Sequence, residues 1–500
     1  TTRDGAYVVT TLSSGTEARE PTVVPVELVE RLERETVFTF HLAADARWHD
    51  GEPLTARDVA FSFECYRNKY VRCDRKRAVF ERIERLEVLD DRTLRFYFPR
   101  SYFLALAAFD ETFTILPAHI YDLADPMRGA TAHVAGAEEQ AREVNDGAAN
   151  RAWIGLGPYK LVEWNAERIV ARRVDAFFDE SRAGLLDQIT WRAIADNEAA
   201  TAALLDGQLD FFDRMSVVDY LGERTHTPQF EARFYTGFFY TPALNITAWN
   251  TARPTLADAR VRTALGLCFD WNVWLDGYYK GLAFRVTGEQ MPFGSAYDRS
   301  LAPLAFDPRR ASALLAEAGW IDRDGDGALD KDGAKLELDY LFPSGNEVSR
   351  AFGETFQARL AAIGVTLTPV ARDNAALSEA LKKREFDACA LALALPFESD
   401  PEQLWHSKWA ASPSANRSGL RDAEVDRLIE AVQVETDARA RGALFMALQR
   451  RLYELQPVMF GAWAPHRFAM AKRVRGFQIL APDPGYSIRR WHVTDAPEKR

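Results

Sequence analysis

Residues 38–63 read FTFHLAADARWHDGEPLTARDVAFSF and carry the clearest local structure signals in the chain. Alternation of apolar and polar residues over 37–42 predicts a half-buried strand. Thr55 fits a helix N-cap with Asp58 three residues on, a capping-box pattern, and an apolar-sided helix follows. Asp50-Gly51 between them is a turn dipeptide. The segment therefore predicts a strand, a tight turn and a capped helix.

His49 and Asp50, inside this segment, raise the question of a catalytic or metal site. Neighbouring side chains in extended backbone point to opposite faces, so the two cannot easily serve one substrate. A catalytic pair also needs a third group in a convergent pocket. We interpret His49-Asp50 as architecture rather than chemistry.

Composition sets the broad class of the protein. A chain of 500 residues predicts two or three domains, and 47% apolar with 27% charged residues is typical of soluble globular proteins. The net charge of -11 argues against nucleic acid and anionic membrane surfaces as partners. The longest apolar run, ACALALALPF at 388–397, is about half of what a bilayer requires. It predicts a buried strand and no membrane span.

The usual signatures of catalysis are missing from the sequence. There is no GxSxG, HExxH, Walker lysine or SxxK motif, and the eight histidines are isolated from one another. The four cysteines have no CxxC spacing; Cys65 and Cys73 are left open as free thiols or a pair. GLGPY at 155–159 lacks the third glycine of a nucleotide loop and has a proline where a free N–H is needed. These absences favour a binding protein over an enzyme.

One loop resembles a metal-ligand set. DRDGDGALDKDG at 322–333 places Asp322, Asp324, Asp326 and Asp330 at positions 1, 3, 5 and 9 of an EF-hand calcium loop. Position 12 is Gly333 instead of the bidentate glutamate, which removes two oxygen ligands. Two interpretations stay open: a weak structural calcium site, or an Asp/Gly-rich surface turn. We expect no other cofactor.

The later part of the chain alternates helix and strand. A helix starts at Asp307-Pro308 and ends at Gly319, a strand follows over 336–342, a helix runs to Gly364, and 365–370 is extended. Thr255 with Asp258 repeats the capping pattern, and 424–455 is helical up to Pro457. This alternation predicts at least one α/β domain.

Four segments in order resemble the bacterial extracellular solute-binding proteins of family 5, the dipeptide-, oligopeptide- and nickel-binding components of ABC importers. They are the quoted 38–63; GLGPYKLVEW at 155–164; NTARPTLADARVRTALGLCFDWNVWLDGYYKGLA at 250–283; and DPEQLWHSKWAASPSANRSGLRDAEVDRLIE at 400–430 with YELQPVMF at 453–460. The resemblance covers about 38–477.

The resemblance implies an α/β fold of the periplasmic-binding-protein type, a three-domain clamp in which two lobes joined by a two-strand hinge close on a solute. It implies a discontinuous base lobe (1–36, 151–248 and 476–500), a small extra domain (37–150) and a second lobe (249–475). Family members usually have a further segment before the first strand, so part of the base lobe is expected to be divergent or outside this sequence.

The implied function is capture of a peptide or peptide-like solute for the permease and ATPase of an importer. We expect a monomer, exported to the periplasm or cell surface after removal of a leader. A sensor or receptor of the same fold, and a binder of a non-peptide solute, remain alternatives.

The family's peptide binders carry a motif like Trp-x-x-Asp-Tyr-x-Asp-Pro, whose first Asp pairs with the peptide's α-ammonium. Aligned on Asp400-Pro401, that position is Phe397, and an unpaired buried ammonium would cost several kcal/mol. The solute is thus expected to lack a free amino terminus, unless Glu398 substitutes through a bulge. For each ring among the candidates, solute contact and core packing both stay open. The candidate solute-contact residues are Phe397, Glu398, Ser399, Asp400, Trp405, Trp409, Asn416 and Tyr159.

Overall fold

Helices and strands alternate along most of the computed structural model, which describes residues 2–3, 6–9, 22–25, 36–109, 113–241, 243–395, 398–480 and 484–494. The strands are β1 (Thr2–Arg3), β2 (Ala6–Val9), β3 (Thr22–Pro25), β4 (Thr36–His41), β5 (Arg85–Asp90), β6 (Thr93–Phe98), β7 (Tyr159–Trp164), β8 (Arg168–Arg173), β9 (Gln188–Arg192), β10 (Phe211–Phe212), β11 (Phe234–Phe239), β12 (Ala243–Trp249), β13 (Phe284–Arg285), β14 (Asp330–Lys331), β15 (Ala334–Lys335), β16 (Glu337–Pro343), β17 (Thr366–Arg372), β18 (Ala388–Ala394), β19 (Val458–Phe460), β20 (Ala462–Trp463), β21 (His466–Ala471), β22 (Val474–Arg475) and β23 (His492–Val493). The helices are α1 (Ala56–Arg67), α2 (Asp74–Phe80), α3 (Ala118–Tyr121), α4 (Ala137–Asp146), α5 (Asn197–Leu205), α6 (Val217–Leu221), α7 (Pro228–Arg233), α8 (Ala259–Leu267), α9 (Trp271–Trp274), α10 (Pro308–Glu317), α11 (Glu347–Ala361), α12 (Asn374–Lys383), α13 (Glu402–Trp405), α14 (Ala423–Val434) and α15 (Ala438–Leu455).

The small domain is built around the strand, turn and helix that residues 38–63 predict. β4 and β5 flank β6 in an antiparallel sheet. The Asp58 carboxylate accepts hydrogen bonds from the Thr55 N–H at 2.8 Å and from its hydroxyl at 3.1 Å, so the capping box is present at the start of α1. Helix α1 then packs Val59 and Phe63 against the sheet in an aromatic-rich core. The predicted local structure is confirmed.

The base lobe contains two three-stranded sheets, β7-β8-β9 and β10-β21-β11. Its core gathers Leu204, Phe230 and Phe234 with Phe468 and Trp491. β21 is the central strand of its sheet and comes from much later in the chain than β10 and β11, which flank it. Residues near the C-terminus thus complete a lobe that the middle of the chain begins. β1, β2 and β3 form a separate antiparallel sheet.

The second lobe is an α/β unit on a five-stranded sheet of order β17-β16-β18-β12-β19. β16 runs parallel to β17 and β18, whereas β12 is antiparallel to β18 and β19. The apolar run at 388–397 is the central strand β18 over its first seven residues. One core contains Trp249 and Phe356, and another contains Phe460 and Trp463.

Two chain crossings connect the base lobe to the second lobe in the described residues. β11 belongs to the base sheet and β12 to the second-lobe sheet, so the first crossing follows Thr241; the return lies at 464–465, between β20 and β21. The Trp463 indole N–H donates to the Thr241 carbonyl at 2.8 Å and ties the crossings together. These pairings correct the predicted boundaries at 248/249 and 475/476, which would detach β12 and β21 from their sheets.

Two helix predictions need correction. Helix α8 starts after Asp258, whose carboxylate accepts from the Arg260 N–H at 2.8 Å, while Thr255 lies in a preceding 3-10 turn. The helix predicted at 424–455 is two helices, because Asp437 caps a new one by accepting from the Ala440 N–H at 2.8 Å. Within the described residues, no helix has the length and apolar character needed to cross a membrane.

Candidate functional site

Asp400 and Glu402, a few residues after β18, contact the small domain. Ser399 is buried, Asp400 lies just before α13, and Glu402 opens that helix. Helix α13 starts directly after the predicted contact residues 398–400, and the predicted contact residue Trp405 is its last residue. Phe397, the central residue of the sequence prediction, lies outside the described residues.

Asp400 and Glu402 are held by side chains of the small domain. The Asp400 carboxylate accepts from the Tyr102 hydroxyl at 2.9 Å and from Arg82 Nη2 at 3.3 Å, and Glu402 Oε2 accepts from the same guanidinium at 2.6 Å. Gln433 Nε2, on α14, donates to both carboxylates, at 3.1 Å and 2.7 Å. The contact spans 318 residues of sequence between Arg82 and Asp400. Asp400 is therefore fully engaged by protein donors.

Glu402 is also held from its own lobe. Its Oε1 accepts from Lys408 Nζ at 2.7 Å and from the Trp409 indole N–H at 3.0 Å. Burial alone would raise the pKa of Glu402, but hydrogen bonds from Lys408 and Gln433 and the charge of Arg82 outweigh burial and lower the pKa to about 2. Glu402 is thus a buried carboxylate that stays ionised. Trp409 joins this network through its indole N–H.

The small domain contributes an apolar contact beside the charges. The Phe103 ring lies 6.0 Å from the Phe445 ring of α15, and the Arg441 guanidinium lies 5.0 Å from the Phe103 ring centre. The Phe103 N–H donates to the Gln433 carbonyl at 3.0 Å. Arg441 Nη2 is 3.7 Å from Glu398, whose side chain is 51% exposed. Glu398 therefore faces a cation and solvent.

Two sequence-predicted contact residues lie in the interior of the second lobe. Trp405 is 2% exposed, in the core that contains Phe460. Asn416 is 1% exposed; its amide donates to the carbonyls of His406 at 3.1 Å and Leu420 at 3.0 Å. The burial of Trp405 fits the core-packing interpretation that the sequence leaves open for its ring, whereas solute contact by Asn416 stays a prediction. Tyr159 is on β7 of the base lobe, where its hydroxyl accepts from the Leu186 N–H at 3.1 Å.

His49 fastens the small domain to the base lobe. Its Nε2 is 2.9 Å from the Gly157 carbonyl, its Nδ1 accepts from the Gly155 N–H at 3.2 Å, and its own N–H donates to the Gly155 carbonyl at 3.0 Å. Asp50 instead contacts His119 Nε2 at 2.8 Å, inside the small domain. The two neighbours point to different partners, as the sequence predicts.

The acidic loop is only partly arranged as a ligand set. Carboxylate oxygens of Asp322, Asp324 and Asp330 lie within 4.8 Å of one another. Lys335 Nζ, however, donates to Asp324 and Asp326 at 2.9 Å each. The ammonium group of Lys335 thus lies between two predicted ligands, and calcium binding stays a prediction.

A surface groove of about 530 Å³ lies in the base lobe, away from the Asp400 segment. Its charged lining residues pair with each other, since Arg224 Nη1 donates to Glu198 at 2.8 Å and lies 3.5 Å from Asp219. We assign the groove no part in the site.

The side chains that the sequence predictions missed are Arg82, Tyr102, Phe103, Gln433 and Arg441. Nothing local distinguishes them, because their sequence neighbours give no sign of the contact and each finds its partner only through the fold. A search for the family motif identifies one half of the contact, the Asp400 segment, but not the other.

Comparison with known proteins gives consistent matches. The family model described as bacterial extracellular solute-binding proteins, family 5 (middle), matches residues 27–413. The oligopeptide-binding protein AppA of Bacillus subtilis is 25% identical over 475 residues, covering 93% of this chain and 82% of that protein. Among solved structures, AppA of Bacillus subtilis in complex with a nonapeptide gives a TM-score of 0.77 at 24% identity, covering 92% of this chain and 87% of that one. NikZ of Campylobacter jejuni in complex with Ni(L-His) gives 0.74 at 20% identity, covering 97% and 93%.

Proposed function

Because the chain belongs to the bacterial extracellular solute-binding proteins of family 5, we propose that it captures a peptide or peptide-like solute between its base and second lobes and delivers it to an ABC permease with its ATPase. The observation that carries this proposal is the pair of chain crossings, one after Thr241 and one at 464–465, about which two lobes can rotate. We place the protein outside the cytoplasmic membrane and expect it to act as a monomer.

The solute that the residues support lacks a free α-ammonium group. Phe397 stands where the family's peptide binders have the ammonium-pairing carboxylate. Asp400 already has four donor groups around it, and Glu398 lies near Arg441. A buried ammonium would therefore lack a carboxylate partner, which is expensive in a low-dielectric site. An N-blocked or cyclic peptide fits this arrangement better than an ordinary one.

A non-peptide solute is the second candidate. It is favoured by the similarity to NikZ, whose solved complex holds Ni(L-His) instead of a peptide. Native mass spectrometry of the purified protein discriminates the two, because a clamp of this kind can retain solute from its host, and a co-purified mass would give the class of that solute.

A binding experiment tests the ammonium argument directly. Tetrapeptides with free and with acetylated amino termini are titrated by calorimetry into the wild type and into Phe397→Asp. We expect the wild type to prefer the acetylated form and the variant to gain affinity for the free form. Phe397→Asn, similar in size and uncharged, is the control. Tight binding of free tetrapeptides by the wild type, unchanged in the variant, would contradict the proposal.

A further inference from the structure

The small domain is in contact with both lobes, and the two contacts differ in kind. His49 joins it to the backbone of the base-lobe turn at Gly155 and Gly157. Arg82 and Tyr102 join it to the second lobe. The chain also runs directly from the small domain into the base lobe. Chain continuity and the His49 contact join the small domain to the base lobe, so a rotation of the second lobe against these two would act on the contacts of Arg82 and Tyr102.

Such a rotation would have to separate Arg82 from its two carboxylates. In the contact, Arg82 and Lys408 balance Asp400 and Glu402, two cations against two anions. The side chains of Arg82, Asp400 and Glu402 are 27%, 17% and 8% exposed, so they interact with little screening by water. After separation, Lys408 alone would face two carboxylates. Breaking the contact would thus leave an unbalanced negative charge on the second lobe, which is unfavourable in a part-buried site.

The geometry of the contact is also specific. The Arg82 guanidinium lies 4.5 Å from the Tyr102 ring centre while reaching both carboxylates, so the ring orients the cation. Phe103 adds a ring contact with Phe445 and a backbone hydrogen bond to Gln433. These contacts are of three types: ionic, aromatic and backbone. Together they define one relative orientation of the small domain and the second lobe.

We propose that Arg82, Tyr102 and Phe103 form a latch, through which the small domain holds the second lobe in the closed arrangement without touching the solute. This inference rests on the proposed function, since it gives the closing lobes a second set of contacts besides those with solute. The latch sets the fraction of solute-free molecules that are closed. Apparent solute affinity scales with that fraction, so the latch raises affinity for every solute alike.

The test compares Arg82→Gln, alone and combined with Tyr102→Phe, with a matched control. Arg57→Gln is the control because Arg57 also bridges two carboxylates, Asp122 at 2.9 Å and Asp125 at 3.1 Å, but entirely within the small domain. The full chain is stripped of carried solute, and its radius of gyration is measured by X-ray scattering. We expect Arg82→Gln to be larger than the wild type and Arg57→Gln to match it.

Salt provides a second, independent readout. In 1 M sodium chloride the wild type should expand part of the way toward the radius of Arg82→Gln, because salt screens the partly exposed Arg82 but hardly reaches Glu402, whereas the variant should change little. Equal radii for wild type and Arg82→Gln at low salt would overturn the latch. Should Arg82→Gln fold poorly, Tyr102→Phe, which removes one hydroxyl, is expected to give the same change at smaller amplitude, and an unchanged radius in it counts against the proposal.

The scattering measurement needs no solute, so the two proposals fail separately. If no peptide binds but Arg82→Gln still expands, the peptide proposal fails and the latch stands. If an acetylated peptide binds, we expect its Kd to rise at least tenfold in Arg82→Gln and to stay within twofold in Arg57→Gln. If the peptide binds and Arg82→Gln changes neither its Kd nor the radius of gyration, the latch is refuted and the peptide proposal stands.

Discussion

Glu402 is a side chain that is both buried and charged, and its surroundings explain how. Only 6% of the residue is exposed, yet donors from Arg82, Lys408, Gln433 and Trp409 all reach its carboxylate. Each donor stabilises the ionised form, so the energetic cost of burial is offset within the protein. The residue links the small domain, α14 and the loop after α13 at one point.

The low pKa of Glu402 has a consequence for acid stability. It falls from the ordinary 4.5 to about 2, so its contribution to the free energy of unfolding is complete above pH 4.5 and is lost as the pH falls toward 2. Between pH 7 and pH 3, that loss is about 2 kcal/mol. Urea unfolding at both pH values should show a smaller acid loss in Glu402→Gln than in the wild type. Glu354→Gln, which removes an exposed carboxylate paired with Arg350, should lose as much stability in acid as the wild type does.

At the scale of elements, the parts predicted well are those whose signals are local. The Thr55–Asp58 capping box and the Asp307-Pro308 helix start depend on residues within one turn of each other, and both are confirmed. Thr255 and Asp258 are both possible N-cap residues for the same helix, and tertiary packing decides which of them caps it. Leu256 is fully buried in the second-lobe core and lies in the 3-10 turn with Thr255, so the α-helix starts after Asp258.

Gly364 permits a close approach that the sequence does not reveal. Its φ is +79°, and a Cβ there would lie 2.8 Å from the Gly327 carbonyl oxygen. Gly345 has φ +81° with no atom within 4 Å of that position, which makes it a matched control. Both alanine variants should lose about 1 kcal/mol for the left-handed backbone. Gly364→Ala should lose on the order of 1–3 kcal/mol more in urea unfolding, as overpacking does; equal losses would contradict the close approach.

The acidic loop beside Gly364 offers a test of the calcium prediction. Lys335 competes for Asp324 and Asp326, so calorimetry of the wild type should show calcium binding no tighter than about 10⁻⁴ M, the weak end for such loops. Lys335→Met should bind about tenfold more tightly. Lys331→Met is the control, because that ammonium donates to the Ala318 carbonyl instead. Absence of heat in all three proteins at millimolar calcium supports the surface-turn interpretation.

At the scale of the whole molecule, the sequence reveals one side of the candidate site and hides the other. The family motif leads to Asp400, but Arg82 reads as an ordinary surface charge after α2. Only the fold brings them together, across 318 residues. The charge and aromatic content of a segment do not predict such a contact, because pairing between distant segments depends on how the domains are oriented. The lobe boundaries fail for the same reason, since strand pairing decides them.

The join between the small domain and the base lobe can be tested through His49. His49→Ala removes the acceptor of the Gly155 N–H, so we expect that amide to exchange hydrogen with deuterium at least tenfold faster. His119→Ala is the matched control: its ring is also largely buried, but its partner is Asp50 of the same domain. The melting temperature should fall in both variants. Faster exchange of the Gly155 amide in His119→Ala as well would mean that the overall stability of the small domain, and not the His49 contact, protects this amide.

The central position of β21 in the base sheet orders the events of folding. β10 and β11 leave a ribosome or a translocon with no strand between them, and their partner emerges only after the entire second lobe. The second lobe can complete its own five-stranded sheet by Phe460, before β21 exists. The small domain, the second lobe and the β7-β8-β9 sheet are thus free to fold early, while the β10-β21-β11 sheet of the base lobe has to close a long loop near the end of synthesis, a slow step. In the newborn protein, the lobe that comes first in the sequence is the last to be completed.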